Sequence, residues 1–124
     1  MTNFYFFLLI SLGFWHFIAD YCISTKEMLA AKSKGYPLDP IMSHAMRHAA
    51  PMFLILLAFR VEAGLAAALF LFQLVTHFMI DILKGRCNIW FPSVANPANK
   101  VHWIVFGFDQ FLHFAVIATM VKCT

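Results

Sequence analysis

Apolar residues recur along this chain in four long stretches, at residues 3–23, 40–59, 62–84 and 97–121, separated by short polar segments. Each stretch suffices to cross a hydrocarbon layer of about 30 Å, which takes about 20 residues of α-helix. A lipid interior leaves backbone groups no partner but each other, so spans of this length must be helical. The pattern therefore predicts an all-α fold, an integral membrane four-helix bundle formed as a single transmembrane domain over residues 1–124.

Local signals mark the ends of these spans. Asp39 and Pro40 have the order of an N-cap followed by proline at the first helical position, and Asn96 and Pro97 repeat it before the fourth span. Gly85 is placed to end the third span as a C′ glycine, with residues 86–95 as a loop carrying Trp90 and Phe91 at the interface. Pro51 lies inside the second span and should free the carbonyl of Arg47 or kink the helix there. Between the first two spans, Ser24 and Glu27 have capping-box spacing, which predicts a short interfacial helix ending before Gly35. The turn around Arg60 to Gly64 is tight.

Composition strengthens the membrane reading. Hydrophobic residues make up 62% of the 124 and charged residues only 12%, with a mean hydropathy of +0.77. A soluble chain of this size would need far more polar surface to cover its core. The N-terminal apolar run has no Lys or Arg before it and no small-residue cleavage site, so it reads as a retained span and not as a secretory signal. Cys22, Cys87 and Cys123 lie far apart without CxxC spacing and predict neither a zinc knuckle nor a disulfide framework. Nothing suggests a nucleic-acid partner. A homo-oligomer is compatible with the sequence, and membrane lipid is the expected partner.

Charge then orients the bundle. Lys26, Lys32, Lys34, Arg47, Lys84, Arg86 and Lys100 flank the segments after spans one and three, whereas the opposite side has only Arg60 and Lys122. The positive-inside rule puts the basic side in the cytoplasm and both termini outside, as expected for a multi-pass protein of a bacterial inner membrane.

The chemistry lies in polar pairs. Each span holds one pair of metal-ligand residue types at i, i+4: His16 and Asp20, His44 and His48, His77 and Asp81, Asp109 and His113. That spacing sets both side chains on one helix face and lets two helical residues grip one metal. A lone histidine in a membrane helix is often hydrogen-bonded packing, but random placement would not put one pair on every span. In an up-down bundle all four pairs fall in the leaflet nearer the basic loops, with Asp109 and His113 deepest. The expected cofactor is one or two divalent transition metals (zinc, manganese or iron), because imidazole with carboxylate suits these over calcium or magnesium. Some aspartates would serve as partners of the ligating histidines. Lys84 is seven residues after His77, closer to the mouth, where it could meet a phosphate or snorkel. His102, seven before Asp109, is an outer ligand or an interfacial histidine. Gln110 could hydrogen-bond a ligand, and Arg47 points sideways or to headgroups. Trp15, the phenylalanines and the methionines read as lipid-facing or packing residues.

At these residues the chain resembles a family of uncharacterised small membrane proteins of bacteria and their phages, catalogued as a domain of unknown function. Its marks are HxxxD (His16 to Asp20), a histidine-bearing second helix, HxxxDxxK (His77, Asp81, Lys84) and DQxxH (Asp109, Gln110, His113). A looser resemblance to membrane-bound metal-dependent hydrolases implies hydrolysis by analogy. The expected function is a membrane-embedded metal-dependent hydrolase of a phosphate-containing lipid or pyrophosphate, with Asp81, Asp109 and Lys84 as catalytic residues. The alternatives are a di-iron membrane oxidoreductase, disfavoured by three aspartates and no HxxHH box, and a non-enzymatic metal or proton conductor or phage envelope-modifying protein.

Overall fold

The computed structural model describes residues 3–124, which are helical throughout apart from short connections. Helix α1 (Asn3–Phe17) runs into a single π-helical turn, Ile18–Cys22. A short α2 (Lys26–Lys34) follows, then α3 (Leu38–Ala58), α4 (Ala63–Trp90), the one-turn α5 (Pro92–Ala95) and α6 (Lys100–Cys123). Four of these stretches are long and apolar enough to cross a membrane: Asn3–Cys22, Leu38–Ala58, Ala63–Trp90 and Lys100–Cys123. They close a ring in which α3 packs on α1 and α4, and α6 on α4 and α1. Phe7, Phe14, Leu54, Leu71, Val75, Phe108 and Phe111 face outward, an apolar exterior suited to lipid.

Each helix turns one row of residues at i+4 spacing to the bundle axis. The rows are Leu8, Leu12, His16 and Asp20 on α1; His44, His48, Met52 and Leu56 on α3; Leu69, Gln73, His77 and Asp81 on α4; and Asp109, His113, Ile117 and Val121 on α6. Because neighbouring helices run in opposite directions, the apolar members meet at one end and the polar members at the other. The apolar end is a continuous core that also includes Ala66 and Met120. The polar end is the mouth, crossed by α2, which packs on α4 and α3.

Several helix ends differ from the sequence expectation. The cap of α2 is Thr25, whose Oγ1 accepts from the Met28 N–H at 3.2 Å, one residue later than the expected Ser24. Ser24 is occupied elsewhere: its Oγ donates to the carbonyls of Ala19 and Asp20 at 3.0 and 2.8 Å, groups that the π-helical turn leaves available. Helix α3 starts at Leu38 after Pro37, so Asp39 and Pro40 are first-turn residues and not the cap pair. Likewise α6 starts at Lys100, and Asn96 forms a turn in which its Oδ1 accepts from the Ala98 N–H at 2.9 Å.

The largest difference is at Gly85, which does not end α4. The helix continues to Trp90, taking in half of the expected loop, while α5 takes up much of the rest. At 28 residues, α4 spans ~42 Å and outruns a ~30 Å hydrocarbon layer. Its last turns carry α2 instead. A Cβ on Gly85 would collide with the backbone of Lys32 and Gly35, so glycine is what lets the two helices touch. Gly35 itself ends α2 at φ 76°, the left-handed region that glycine tolerates. Asn88 Nδ2 donates to the Ser33 carbonyl at 3.0 Å and ties down the same end.

Two local expectations hold. The Arg47 carbonyl, left without its N–H by Pro51, accepts the Trp15 indole N–H at 2.9 Å, which gives that tryptophan a specific partner beyond packing. The tight turn between α3 and α4 has Arg60 at φ 61°. Glu62 caps α4 by accepting from the Gly64 and Leu65 N–H groups, both at 2.8 Å, and these bonds hold its carboxyl below the usual range.

Candidate metal centre

All four predicted pairs reach the same polar core. His44, His48, His77, Asp81, Asp109 and His113 are buried, and His16 and Asp20 nearly so. Asp20 comes inward on the π-helical turn, whose wider winding sets its carboxylate between α1 and α3. Its Oδ1 lies 3.0 Å from His44 Nε2 and 2.9 Å from His48 Nε2, and those nitrogens are 3.2 Å apart. With Asp20 ionised, no placement of protons on the two Nε2 atoms gives a hydrogen bond on all three edges. Each Nε2 either carries a proton or offers a lone pair, and His44 Nε2 also faces the Lys32 ammonium at 3.2 Å. A shared cation would satisfy every edge. Adjacent ligands on a tetrahedral ion with ~2.0–2.1 Å bonds lie about 3.3 Å apart, close to the edges of this triangle.

A second group adjoins the first. Asp81 Oδ2 lies 3.2 Å from His77 Nε2, and Asp81 Oδ1 lies 3.4 Å from His113 Nε2. These contacts have ion-pair distance without hydrogen-bond alignment, so among the described residues His77 Nε2 and both Asp81 oxygens lack a hydrogen-bond partner. Buried lone pairs left without donors are expensive, and their convergence suits a metal. Asp20, His44, His48 and His77 form one set that could hold an ion; His77, Asp81 and His113 form another, with His77 common to both. The His48 and His77 rings are 3.8 Å apart and those of His77 and His113 4.3 Å, so the two sets are contiguous.

The other two expected ligands stand at the edge. His16 Nε2 is 3.3 Å from Asp20 Oδ2 and 3.5 Å from Gln110 Oε1, and it joins neither compact set. Asp109 Oδ1 is 3.4 Å from His113 Nε2, while its Oδ2 receives Gln110 Nε2 at 3.1 Å and faces Lys84 Nζ at 3.4 Å. Asp109 thus meets the same His113 nitrogen as Asp81, without a hydrogen bond to it, and pairs with Lys84 through its other oxygen. Lys84 also lies over the Phe106 ring at 4.7 Å. His102 is apart from the cluster, bonded through Nδ1 to the Val94 carbonyl at 2.7 Å. Arg47 donates to the Ile23 carbonyl at 2.6 Å, capping the end of α1 and its π-helical turn.

Lys32 and Gln73 are two site residues that ligand spacing does not pick out. Lys32 reaches in from α2 to 3.5 Å from Asp20 Oδ1 and 3.8 Å from Asp81 Oδ2. Burial works against its charge, but Asp81, Asp20 and Asp109 outweigh that and hold the ammonium above the ordinary lysine range. The signal for Lys32 is the face of α2: Met28 and Ala31 are its buried residues, and Lys32 lies beside them at i+4 and i+1. Gln73 is one turn before His77, buried, with Oε1 unpaired among the described residues; it continues the i+4 row.

Above the cluster a cavity of about 600 Å³ opens at the mouth, with Asp20, Asp81, Ser24, Lys32, Lys84 and Gln110 among its lining. The bundle is therefore a small helical protein, apolar enough for a membrane, whose buried histidines and aspartates could hold a metal ion beneath a cavity that Lys32 and Lys84 also line. The chain belongs to the family described as protein of unknown function (DUF3307), which it matches over residues 6–124, a range that includes all eight clustered residues. No curated protein and no solved structure matches it.

Proposed function

We propose that this protein is a membrane-embedded, metal-dependent hydrolase of a phosphate-containing lipid or pyrophosphate. Its membrane would be the bacterial inner membrane, with the mouth toward the cytoplasm and both termini outside. One observation carries the reading: a buried His/Asp cluster, with lone pairs that no donor among the described residues meets, forms the floor of a cavity flanked by two ammonium groups. The ligand set favours zinc, manganese or iron. Such an ion, when bound, supplies an activated water and polarises a phosphoryl oxygen.

The chain's own groups fit the rest of the reaction. Hydrolysis adds water across a P–O bond: the water oxygen joins phosphorus and its proton passes to the departing oxygen. Asp81 lines the cavity with both oxygens free of hydrogen bonds, which suits a carboxylate that takes and returns that proton. Lys84, held by Asp109 at 3.4 Å, is placed to neutralise a phosphoryl oxygen. Ser24 Oγ lies 3.5 Å from His44 Nδ1, but it donates to the carbonyls of Ala19 and Asp20. Water is the better nucleophile.

The apolar end speaks against a conductor. Leu8, Leu12, Met52, Leu56, Ile117 and Met120 fill the bundle beyond the cluster and are at most 2% exposed, and among the described residues past Gln73 they give an ion or proton no polar path onward. The test is metal-loaded and metal-stripped protein assayed in parallel against phospholipids, isoprenoid diphosphates and inorganic pyrophosphate. Phosphate release that needs metal and is lost in Asp81→Ala is expected. If no substrate separates the two preparations and the loaded protein passes ions across liposomes, the reading fails.

A further inference from the structure

The cavity at the mouth has two features that the hydrolase reading alone does not need. First, its charge changes sign with loading. With the histidines neutral, Asp20, Asp81 and Asp109 oppose Lys32 and Lys84 within the cluster and leave one net negative charge. One divalent ion would turn that to a net positive charge and a second would raise it further, which favours an anion at the loaded site. Lys32 is then the group most affected. Its ammonium shares His44, Asp20 and Asp81 with the metal positions, at 3.2, 3.5 and 3.8 Å, and a divalent ion on those ligands repels it toward the cavity that it also lines.

Second, the cavity wall is not polar all round. Tyr21 and Leu29 line it on one side and Val105 and Phe106 on the other. Tyr21 and Leu29 are also 61% and 52% exposed on the outer surface. The lining contributed by the π-helical turn, α2 and α6 is thus apolar at these four residues and reaches the outer surface at Tyr21 and Leu29. A soluble phosphate would gain nothing from such a seam, whereas an acyl or isoprenyl chain would lie along it.

We infer that Lys32 and Lys84 form a clamp for the terminal phosphate of an amphiphile, which enters sideways from the membrane through the seam bounded by Leu29 and Phe106. The substrate class is a lipid phosphate or diphosphate with at least one unesterified phosphoryl end. The inference rests on the hydrolase reading for its chemistry but not for binding.

Native mass spectrometry of the metal-loaded protein tests it, with dioleoyl phosphatidic acid as the probe against equal phosphatidylcholine and against inorganic pyrophosphate. The wild type should retain phosphatidic acid in preference to both competitors. Lys32→Gln and Lys84→Gln should each weaken that retention roughly tenfold, the loss of one charge-assisted contact, with metal content unchanged in Lys84→Gln. Lys26→Gln, exposed on α2 outside the cavity, should change nothing. Leu29→Trp should block the lipid while leaving pyrophosphate binding intact. Equal retention of the two lipids, or a preference that survives both lysine changes, overturns the clamp. Pyrophosphate competing as well as the lipid overturns the lateral route. Binding through both lysines without phosphate release removes the hydrolase reading and leaves the clamp standing. Metal-dependent phosphate release from pyrophosphate with no lipid retained does the reverse.

Discussion

The two ends of the bundle are built from the same four helices on the same i+4 rows, yet they obey different rules. At the closed end Leu8, Leu12, Met52, Leu56, Ile117 and Met120 fill the axis, with Gln73 the buried polar side chain at their border with the cluster. At the mouth the same rows carry the clustered histidines and aspartates, and several of their buried nitrogen and oxygen atoms have no hydrogen-bond partner among the described residues. In lipid the closed end gains little from the hydrophobic effect, since tails solvate leucine as well as a core does; packing holds it. The mouth is packed with polar side chains and is held in shape by groups outside the cluster. Those groups are Arg47 on the Ile23 carbonyl, Ser24 on the π-helical turn and α2 pressed against Gly85. An apolar half thus supports a polar one, an arrangement common where a site is built for a ligand.

The contrast can be broken most directly at His77, which both candidate sets share. His77→Ala should remove nearly all bound metal, whereas His16→Ala, outside both sets, should leave most of it. Elemental analysis of detergent-purified protein measures this, and equal losses would sink the two-set description. Gly85→Val comes next. It drives a side chain into the Lys32 and Gly35 backbone and should cost about 1–3 kcal/mol or more, read as a fall in Tm, while the metal ligands stay in place.

A paired substitution sharpens the comparison of the two ends. Leu12→Asn puts an unmatched amide among the apolar rows and should destabilise by about 1–3 kcal/mol, whereas Gln73→Leu, at the boundary between those rows and the cluster and with its Oε1 already unpaired among the described residues, should be nearly neutral or stabilising. If both destabilise equally, the Gln73 amide adds to stability in spite of its unpaired Oε1. Trp15→Phe should cost about 0.5–1.5 kcal/mol by leaving the Arg47 carbonyl bare. That cost should shrink in a Pro51→Ala background, where residue 51 regains its N–H, and a double-mutant cycle reads the coupling. The smallest effect is at Glu62. Its carboxyl is held below the ordinary range by two backbone donors, so the stability it adds is present above the unfolded carboxylate range and lost as pH falls through its lowered folded value. Glu62→Gln should slightly lower Tm at neutral pH and remove that part of the acid dependence.

Much of this architecture is legible in the residue order. Four helices follow from the length of the apolar stretches, because a chain in lipid has no other way to satisfy its backbone. The four ligand pairs follow from i, i+4 spacing, which needs only helix geometry, and the free Arg47 carbonyl follows from Pro51 because proline lacks an N–H. The helix ends are less legible. Gly85 reads as a C′ glycine by local rules, and only the neighbouring α2 shows that glycine is there for close approach.

What residue order alone settles, then, is the spans, the ligand-type pairs and the freed carbonyl, whereas it misplaces the caps of α2, α3 and α6 and the end of α4. Tertiary structure decides what depends on contacts between helices. It brings Lys32 in from an interfacial segment to stand between Asp20 and Asp81, and it divides the ligands so that His77 is shared while His16 and Asp109 stand at the edge. It also turns Lys84 toward Asp109 and Phe106. Periodicity assigns a side chain to a face of its own helix; the distance to a partner on another helix is set by how the two backbones meet. Here that meeting turns on two glycines, one π-helical turn and the length of α4.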